Sequence, residues 1–321
     1  MTRVLVGDVG GTHVRLATID LTIGPTVFSD FEKFRSDDFS DFYSVLKSYL
    51  KTESRSCNAA LFALAGPPRG RSISLTNRLW TVSSDRLERE FDFEKATLVN
   101  DFTAMARSIP EVSADAFSSL KTGVANPDEP VLVIGPGTGL GIASLLKLPG
   151  GGWHVIGGEG GHGAFAPSND EEWELCKILR RERDYVPNEL ICAGIGFNEL
   201  HRAVSELNGV DHEHLSPGEV SDRAADGDAL CLQICRLRAR TVMTVAGDIA
   251  LANGAKGGVV IAGGASVKLS SYLREEGSID RFTARGIQTN YMSEIPIRLL
   301  VDEQAPLVGA AALFADFVEP K

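Results

Sequence analysis

The chain reads as an α/β protein of two domains, each opening on a strand, a glycine-rich turn and a second strand. Two segments predict this. Arg3-Val4-Leu5-Val6-Gly7-Asp8-Val9-Gly10-Gly11-Thr12 continues to Arg15, and Val131-Leu132-Val133-Ile134-Gly135-Pro136-Gly137-Thr138-Gly139-Leu140-Gly141 follows far downstream. Each is an apolar run entering a tight turn that glycine follows most easily. A third run, Gly258-Val259-Val260-Ile261-Ala262-Gly263-Gly264, repeats the strand-then-glycine pattern. The recurrence suggests a distant internal duplication. At 321 residues the chain is long enough for two domains.

The first third reads β-β-β-α-β. Val14 to Asp20 alternates, with Val14, Leu16 and Thr18 on one face, and reads as the return strand of the first turn. Phe28 to Phe34 is a third strand, and Phe39 to Tyr49 has helical spacing. Ala59 to Ala65 reads as a buried strand, and Arg71 to Leu75 alternates. Ser84 reads as the cap of a charged helix ending near Phe91. Thr97 to Val99 is a short strand stopping at Asn100-Asp101, and Phe102 to Ser108 a helix. Gly141 to Leu148 is the return strand of the second turn. From about Glu171 the chain is largely helical, most clearly over Asp228–Asn253, where Gly254 is placed to end the helix. Ile297 to Val301 is a last strand, and Pro306 opens an alanine-rich helix through Phe317.

Turns of this kind let backbone N–H groups converge on phosphate. Two of them, the first containing the carboxylate of Asp8, suggest a nucleoside triphosphate held from two sides. A Walker A loop is excluded, since no Lys-Ser/Thr pair follows the glycines. A dinucleotide fold needs G-x-G-x-x-G opening a helix, whereas here a strand follows.

Net charge is −11 with no basic cluster, which argues against nucleic acid or anionic membrane as partners. No apolar run approaches a membrane span, and Asp8 and glycines interrupt the first apolar run, so no signal peptide is expected there. Five scattered cysteines without C-x-x-C read as reduced thiols of a cytoplasmic protein. Asp211-His212-Glu213-His214 resembles a metal cluster but lies in a polar stretch ending in Pro217-Gly218, and reads as a solvated loop.

Taken in order, Gly7–Thr12, Leu98-Val99-Asn100-Asp101-Phe102, Gly135–Gly141, Gly158-Glu159-Gly160-Gly161-His162 and Gly263-Gly264 resemble the bacterial ATP-dependent glucokinase family of the actin/hexokinase/Hsp70 ATPase superfamily. The likeness runs from residue 4 to about 315. It implies two actin-like (ribonuclease H-like) domains flanking a cleft: 1–110 joined by a C-terminal helix 305–321, and 111–304. It implies phosphoryl transfer from ATP, with Mg²⁺, to the 6-hydroxyl of glucose. By the same likeness Asn100 and Asp101 hold the sugar, with Asp101 the catalytic base. Glu159, His162 and Glu189 hold ring hydroxyls. Gly7, Asp8, Val9, Gly10, Gly11, Thr12, Gly137, Thr138, Gly139, Gly263 and Gly264 bind the nucleotide, and Asp8 meets Mg²⁺ through water. The family also implies a homodimer.

Two positions depart from the pattern: His13 stands where many members have Asn, and Gly157 where proline is expected. The residue types suit the chemistry independently. A carboxylate in hydrogen-bond reach can orient a sugar hydroxyl and take its proton. Mg²⁺ keeps several waters, which suits a lone carboxylate in a phosphate turn. Thr12 and Thr138 can add hydroxyl donors, and Arg15 is either a charge near the phosphates or a solvated strand residue. An Asn-Asp pair after a strand is also a common helix cap. Three alternatives stay open: a repressor/kinase (ROK) kinase of another hexose or N-acetylhexosamine, a non-catalytic sugar-sensing regulator, and a partner-moving ATPase. The first commonly carries a cysteine cluster after the Glu-x-Gly-His motif, and here the next cysteines are only Cys176 and Cys192.

Overall fold

The computed structural model describes residues 3–51 and 57–318. The chain divides into two compact units: Met1–Ala116 with Ala143–Gly157 and Asp302–Lys321, and Phe117–Ile142 with Gly158–Val301.

In chain order the strands are β1 (Arg3–Val9), β2 (His13–Asp20), β3 (Phe28–Arg35), β4 (Ala59–Leu64), β5 (Pro68–Arg69), β6 (Ser72–Ser74), β7 (Thr81–Ser83) and β8 (Lys95–Asn100). They continue as β9 (Phe117–Lys121), β10 (Val131–Pro136), β11 (Leu140–Lys147), β12 (Trp153–Gly158), β13 (Gly258–Ile261) and β14 (Ile297–Leu300). The helices are α1 (Phe42–Tyr49), α2 (Ser84–Phe91), α3 (Asp101–Ser108), α4 (Asp170–Leu179), α5 (Asn188–Cys192), α6 (Phe197–Leu207), α7 (Pro217–Ala225) and α8 (Ala229–Asn253). Four short helices, α9 (Gly264–Lys268), α10 (Ser270–Leu273), α11 (Glu276–Thr283) and α12 (Thr289–Glu294), precede the long α13 (Ala305–Val318).

The first sheet has the order β3-β2-β1-β4-β8, and the second β12-β11-β10-β13-β14 with β9 added at its edge. The first five positions match, so the recurrence in sequence is a recurrence of topology. In the first sheet β1 pairs antiparallel with β2, Val4 opposite Ile19 and Val9 opposite Val14. It pairs parallel with β4, which pairs parallel with β8.

Both faces of the first sheet are covered, so β1 and β4 read as unbroken apolar runs. Successive side chains still alternate between faces. Leu5, Val9, Phe62 and Leu64 pack with Phe42, Leu46 and Trp80 on one side. Val4, Val6, Leu61 and Ala63 pack with Ala104, Leu307, Ala311 and Phe314 on the other. This period of two places Asp8 on the α3 side, where Asp101 begins its helix. α13 is locked there by Arg107, whose Nε donates to Asp316 Oδ2 at 2.7 Å while Nη1 donates to Glu111 at 2.7 Å.

In the second unit α8 threads the core, burying Ile234, Leu237, Val242 and Val245. It starts where Asp228 accepts from the Cys231 N–H at 2.9 Å and stops at Gly254, whose φ of 65° lies in the left-handed region.

Most expected elements form. The expected edges move by one to three residues: α1 starts at Phe42 rather than Phe39, because Asp41 and Ser44 build a capping box there. Ser84 is not a cap but the first helical residue of α2, with Ser83 at the cap position. β5, β7, β9 and β12 had no counterpart in the sequence reading. They are short or on sheet edges, where half-exposed residues blur the alternation.

Candidate functional site

In the first unit the strand reaches further than expected. Gly7, Asp8 and Val9 are the last residues of β1, not part of a turn, and the reversal is confined to Gly10–Thr12. Gly7 is a packing glycine: a Cβ there would lie 2.6 Å from Phe62 and 2.7 Å from Leu16. Val9 is buried in the core. Asp8 is nearly buried and accepts from Arg15 Nη1 at 2.9 Å. Burial pushes its carboxyl up from the usual range and the Arg15 guanidinium pulls it back. Arg15 also reaches Glu303 at 3.2 Å, so it is neither a solvated residue nor an unattached cation.

The Gly10–Thr12 turn is gripped from outside. Ser36 Oγ donates to the Gly10 carbonyl at 3.2 Å, and the Ser36 N–H donates to the Thr12 carbonyl at 2.9 Å. Arg78 Nε donates to the Gly11 carbonyl at 2.9 Å. His13, which follows, is held below its usual pKa by burial and by the charges of Lys33, Arg15 and Arg35. Ser36 and Arg78 were missed by sequence reasoning: a lone serine after a strand and a lone arginine in a hairpin carry no periodic signal.

β8 ends at Asn100, and α3 begins at Asp101. The Phe102 N–H donates to Asn100 Oδ1 at 2.9 Å and to Asp101 Oδ1 at 3.0 Å. Asn100 Nδ2 donates to the Gly66 carbonyl at 3.2 Å. Asn100 is thus a helix cap tethered to a neighbouring loop, and it fixes the backbone from which Asp101 projects. Burial, followed by the negative charge of Asp8, pushes Asp101 up to about 7, against the lowering effect of hydrogen bonds from Phe102 and Asn100.

In the second unit Gly137–Gly139 forms the corresponding turn between β10 and β11. The Gly194 N–H donates to the Gly137 carbonyl at 3.0 Å and the Ile195 N–H to the Thr138 carbonyl at 2.8 Å. Glu189, on the first turn of α5, accepts from the Leu140 N–H at 3.3 Å through Oε2 and faces His162 Nδ1 at 3.3 Å through Oε1. The structure therefore brings His162, Glu189 and the second glycine turn together. Glu159 is exposed and precedes the single 3-10 turn Gly160–His162, its carbonyl accepting from the His162 N–H at 3.0 Å. Tyr185, also unanticipated, donates from its hydroxyl to the His162 carbonyl at 2.6 Å. Gly263 and Gly264 lead into α9, Gly263 with a φ of 89°.

The stretch Asp211–His214 is a loop as expected, exposed at Asp211, Glu213 and His214 and partly buried at His212. His212 lies 4.9 Å from the buried His201 ring and 4.8 Å from His214, centroid to centroid. Glu213 is held by Arg223 through two bonds of 2.7 Å. No group of three metal-ligating side chains is found among the described residues. No helix among them is long and apolar enough to cross a membrane.

Whether Mg²⁺ suits the first unit can be judged from its carboxylates. Mg²⁺ bound with nucleotide typically uses one or two carboxylates, keeping water and phosphate as its other ligands. Asp8 is one such group, and its negative charge raises the pKa of the neighbouring Asp101. A divalent cation at Asp8 would offset that charge, so a single carboxylate beside a phosphate turn fits the ion.

Comparison with known proteins agrees with the fold. The family model described as Glucokinase matches residues 5–317. The glucokinase of Chromobacterium violaceum is 34% identical over 319 residues, covering 99% of this chain and 90% of that protein. The crystal structure of a glucokinase from an Antarctic psychrotroph superposes with a TM-score of 0.84 at 32% identity, covering 98% of this chain and 99% of that one. A glucokinase of Balamuthia mandrillaris, solved in complex with glucose, superposes with a TM-score of 0.83 at 23% identity, covering 98% of this chain and 93% of that one, and supports the actin-like fold. This chain belongs to the glucokinase family.

Proposed function

We propose that this enzyme phosphorylates glucose, moving the γ-phosphoryl group of ATP to the sugar 6-hydroxyl, with Asp101 as the base. The observation that carries the proposal is the Asp101 carboxylate itself. It is fixed at the start of a helix by a capped backbone, and its environment holds its pKa at about 7. A general base is most effective when its pKa lies near the working pH. As the bond from sugar O6 to phosphorus forms and the bond to the β-phosphate oxygen breaks, the O6 proton passes to Asp101. ADP leaves with the bonding electrons.

The backbone amides of Gly11, Thr12, Thr138 and Gly139, with Gly263 and Gly264, are read as the nucleotide contacts, the Gly10 and Gly137 amides already donating within their turns to the His13 and Gly139 carbonyls, and the Thr12 and Thr138 hydroxyls as added donors. Gly7 and Val9 are read as supports of the first turn rather than ligands, since both are buried in the strand. Asn100, Glu159, His162 and Glu189 are read as sugar contacts, Glu189 also holding the Leu140 amide. Asp8 would hold Mg²⁺, largely through water, and the ion would neutralise charge developing on the phosphates. Residues 1–110 with 305–321, and 111–304, are read as the two domains, the enzyme as a cytoplasmic homodimer.

A coupled assay of ADP release with glucose, mannose, fructose, N-acetylglucosamine and no sugar tests the reading. The expected result is turnover greatest with glucose and near background without sugar. Equal ADP release with and without sugar would overturn it, and preference for N-acetylglucosamine would reassign the substrate. Sedimentation velocity of the pure protein decides the dimer.

A further inference from the structure

We infer that Arg78 is a positioning residue for phosphate binding, which sets the direction of the Thr12 N–H by holding the Gly11 carbonyl. The inference rests on the reading of Gly10–Thr12 as a phosphate turn.

The argument starts from peptide geometry. A trans peptide unit is planar, and its C=O and N–H point in opposite directions. Whatever fixes the carbonyl of one residue therefore aims the amide of the next. In this turn the donors sit on the carbonyl side. Ser36 Oγ holds the Gly10 carbonyl at 3.2 Å, which turns the Gly11 N–H to the opposite side. Arg78 Nε holds the Gly11 carbonyl at 2.9 Å, which does the same for the Thr12 N–H. The turn contains two glycines, whose wide conformational freedom would otherwise let these peptides rotate.

Arg78 is built for this and not for contact with the phosphate itself. All three of its nitrogens are engaged: Nε on Gly11, Nη1 on the Ser36 carbonyl at 3.2 Å, and Nη2 on the Asp37 carboxylate. Its guanidinium also lies 4.9 Å from the centroid of Trp80, which is buried in the core of this unit. The Nη1 bond ties Arg78 to the residue that holds the other two carbonyls of the turn. The hairpin that carries Arg78 is itself moored, since the Thr76 N–H donates to the Ala65 carbonyl at 3.0 Å and the Ala65 N–H to Val9 at 3.2 Å. Lysine could reach one of these acceptors but not fork across three.

The test uses the full-length enzyme with Arg78→Met and Arg78→Lys. For Arg78→Met the Michaelis constant for ATP should rise about tenfold or more, the effect of a lost charge-assisted hydrogen bond, with that for glucose changing less than about twofold. Inhibition by adenosine, which has no phosphate, should be unchanged. Arg78→Lys should fall between wild type and Met. A role confined to folding would instead lower the thermal midpoint and leave the three ligand constants alone or move them together, and that outcome overturns the inference. If Arg78→Met does not fold, Ser36→Ala, which removes only the bond to the Gly10 carbonyl, replaces it. The same split between ATP and adenosine is then required, and its absence is equally fatal. Gly11→Ala, whose Cβ would lie 2.0 Å from Asn77 Nδ2, crowds the same turn and reports on the underlying reading. Normal ATP affinity in Gly11→Ala sinks the phosphate role of the turn. Weakened ATP binding in Gly11→Ala beside normal binding in Arg78→Met sinks the role of Arg78 alone.

Discussion

The two glycine turns occupy the same position in sheets of the same strand order, yet they are braced differently. Around Gly10–Thr12 the carbonyls are held largely by side chains, Ser36 Oγ and Arg78 Nε. Around Gly137–Gly139 they are held by backbone N–H groups of Gly194 and Ile195. The carboxylates differ too. Burial raises Asp8, with Arg15 pulling it back, and burial together with the charge of Asp8 raises Asp101. Glu189 instead faces a histidine and a backbone amide. A backbone brace survives most substitutions of the residues that supply it, whereas a side-chain brace is lost with one. The first unit thus concentrates charge and vulnerable contacts around the proposed base. The second offers a more substitution-tolerant frame for binding.

Asp101→Asn should give the largest effect. It keeps the shape of the group but not its basicity, so turnover should fall by about 10²–10⁴. Binding of sugar and ATP should persist. Turnover near wild type in the folded variant would remove Asp101 as base and leave only its place in the helix cap.

The pH dependence follows from the same carboxyl. A base must be ionised, so kcat/KM should drop as pH falls through about 7. Stability should run the other way. Asp101 binds its proton more tightly folded, at about 7, than at its ordinary 3.8, so ionising it costs the folded state progressively between those values and fully above them. Asp101→Asn removes that cost. Its thermal midpoint should exceed that of wild type at pH 8, with the gain gone by pH 4. A midpoint equal to that of wild type at pH 8 would mean that the crowding of the two carboxylates is relieved in solution.

In the other unit Glu189→Gln should act on binding. About 1.5–3 kcal/mol of glucose affinity should be lost, the range for hydrogen bonds to a charged group, with kcat changing less. A kcat collapse at unchanged KM would place chemistry in the second unit and erase the contrast. Glu159→Gln is expected to behave similarly, and an unchanged KM would remove Glu159 from the sugar contacts.

The smallest effect compares two packing glycines. A Cβ at Gly135 would lie 1.8 Å from the Ala262 carbonyl oxygen, whereas one at Gly7 meets the Phe62 and Leu16 side chains at 2.6 and 2.7 Å. Backbone yields less readily than side chains, so Gly135→Ala should destabilise more than Gly7→Ala. Each should cost about 1–3 kcal/mol, as overpacking does. Chemical denaturation of both variants measures the order, and a reversed order would show the second frame to be the softer one.

What was legible in the sequence was whatever repeats or alternates. The apolar runs before Gly10 and Gly137, the long α8 pattern ended by Gly254, and the ordered set from Asp8 to Gly264 needed no coordinates. From these the two-unit α/β fold and the family likeness follow, because burial of one or both faces imposes a period that a reader can count. The register of β1 could be counted as well, and it already separates Asp8 from Gly7 by face. The partners of those residues were another matter. That Arg15 pairs with Asp8, that Asn100 caps α3 while tied to Gly66, that Glu189 meets His162, and that Ser36 and Arg78 grip the first turn are contacts across 7, 34, 27, 26 and 67 residues of chain. A side-chain hydrogen bond has no period, and its partner is chosen by where strands and hairpins bring the backbone. The pKa of Asp101 has the same origin: burial and a neighbouring carboxylate are properties of the folded surroundings and not of the residue. Sequence alone determined which chemical groups the protein owns and the kind of scaffold that carries them, while tertiary structure decided which groups act on one another.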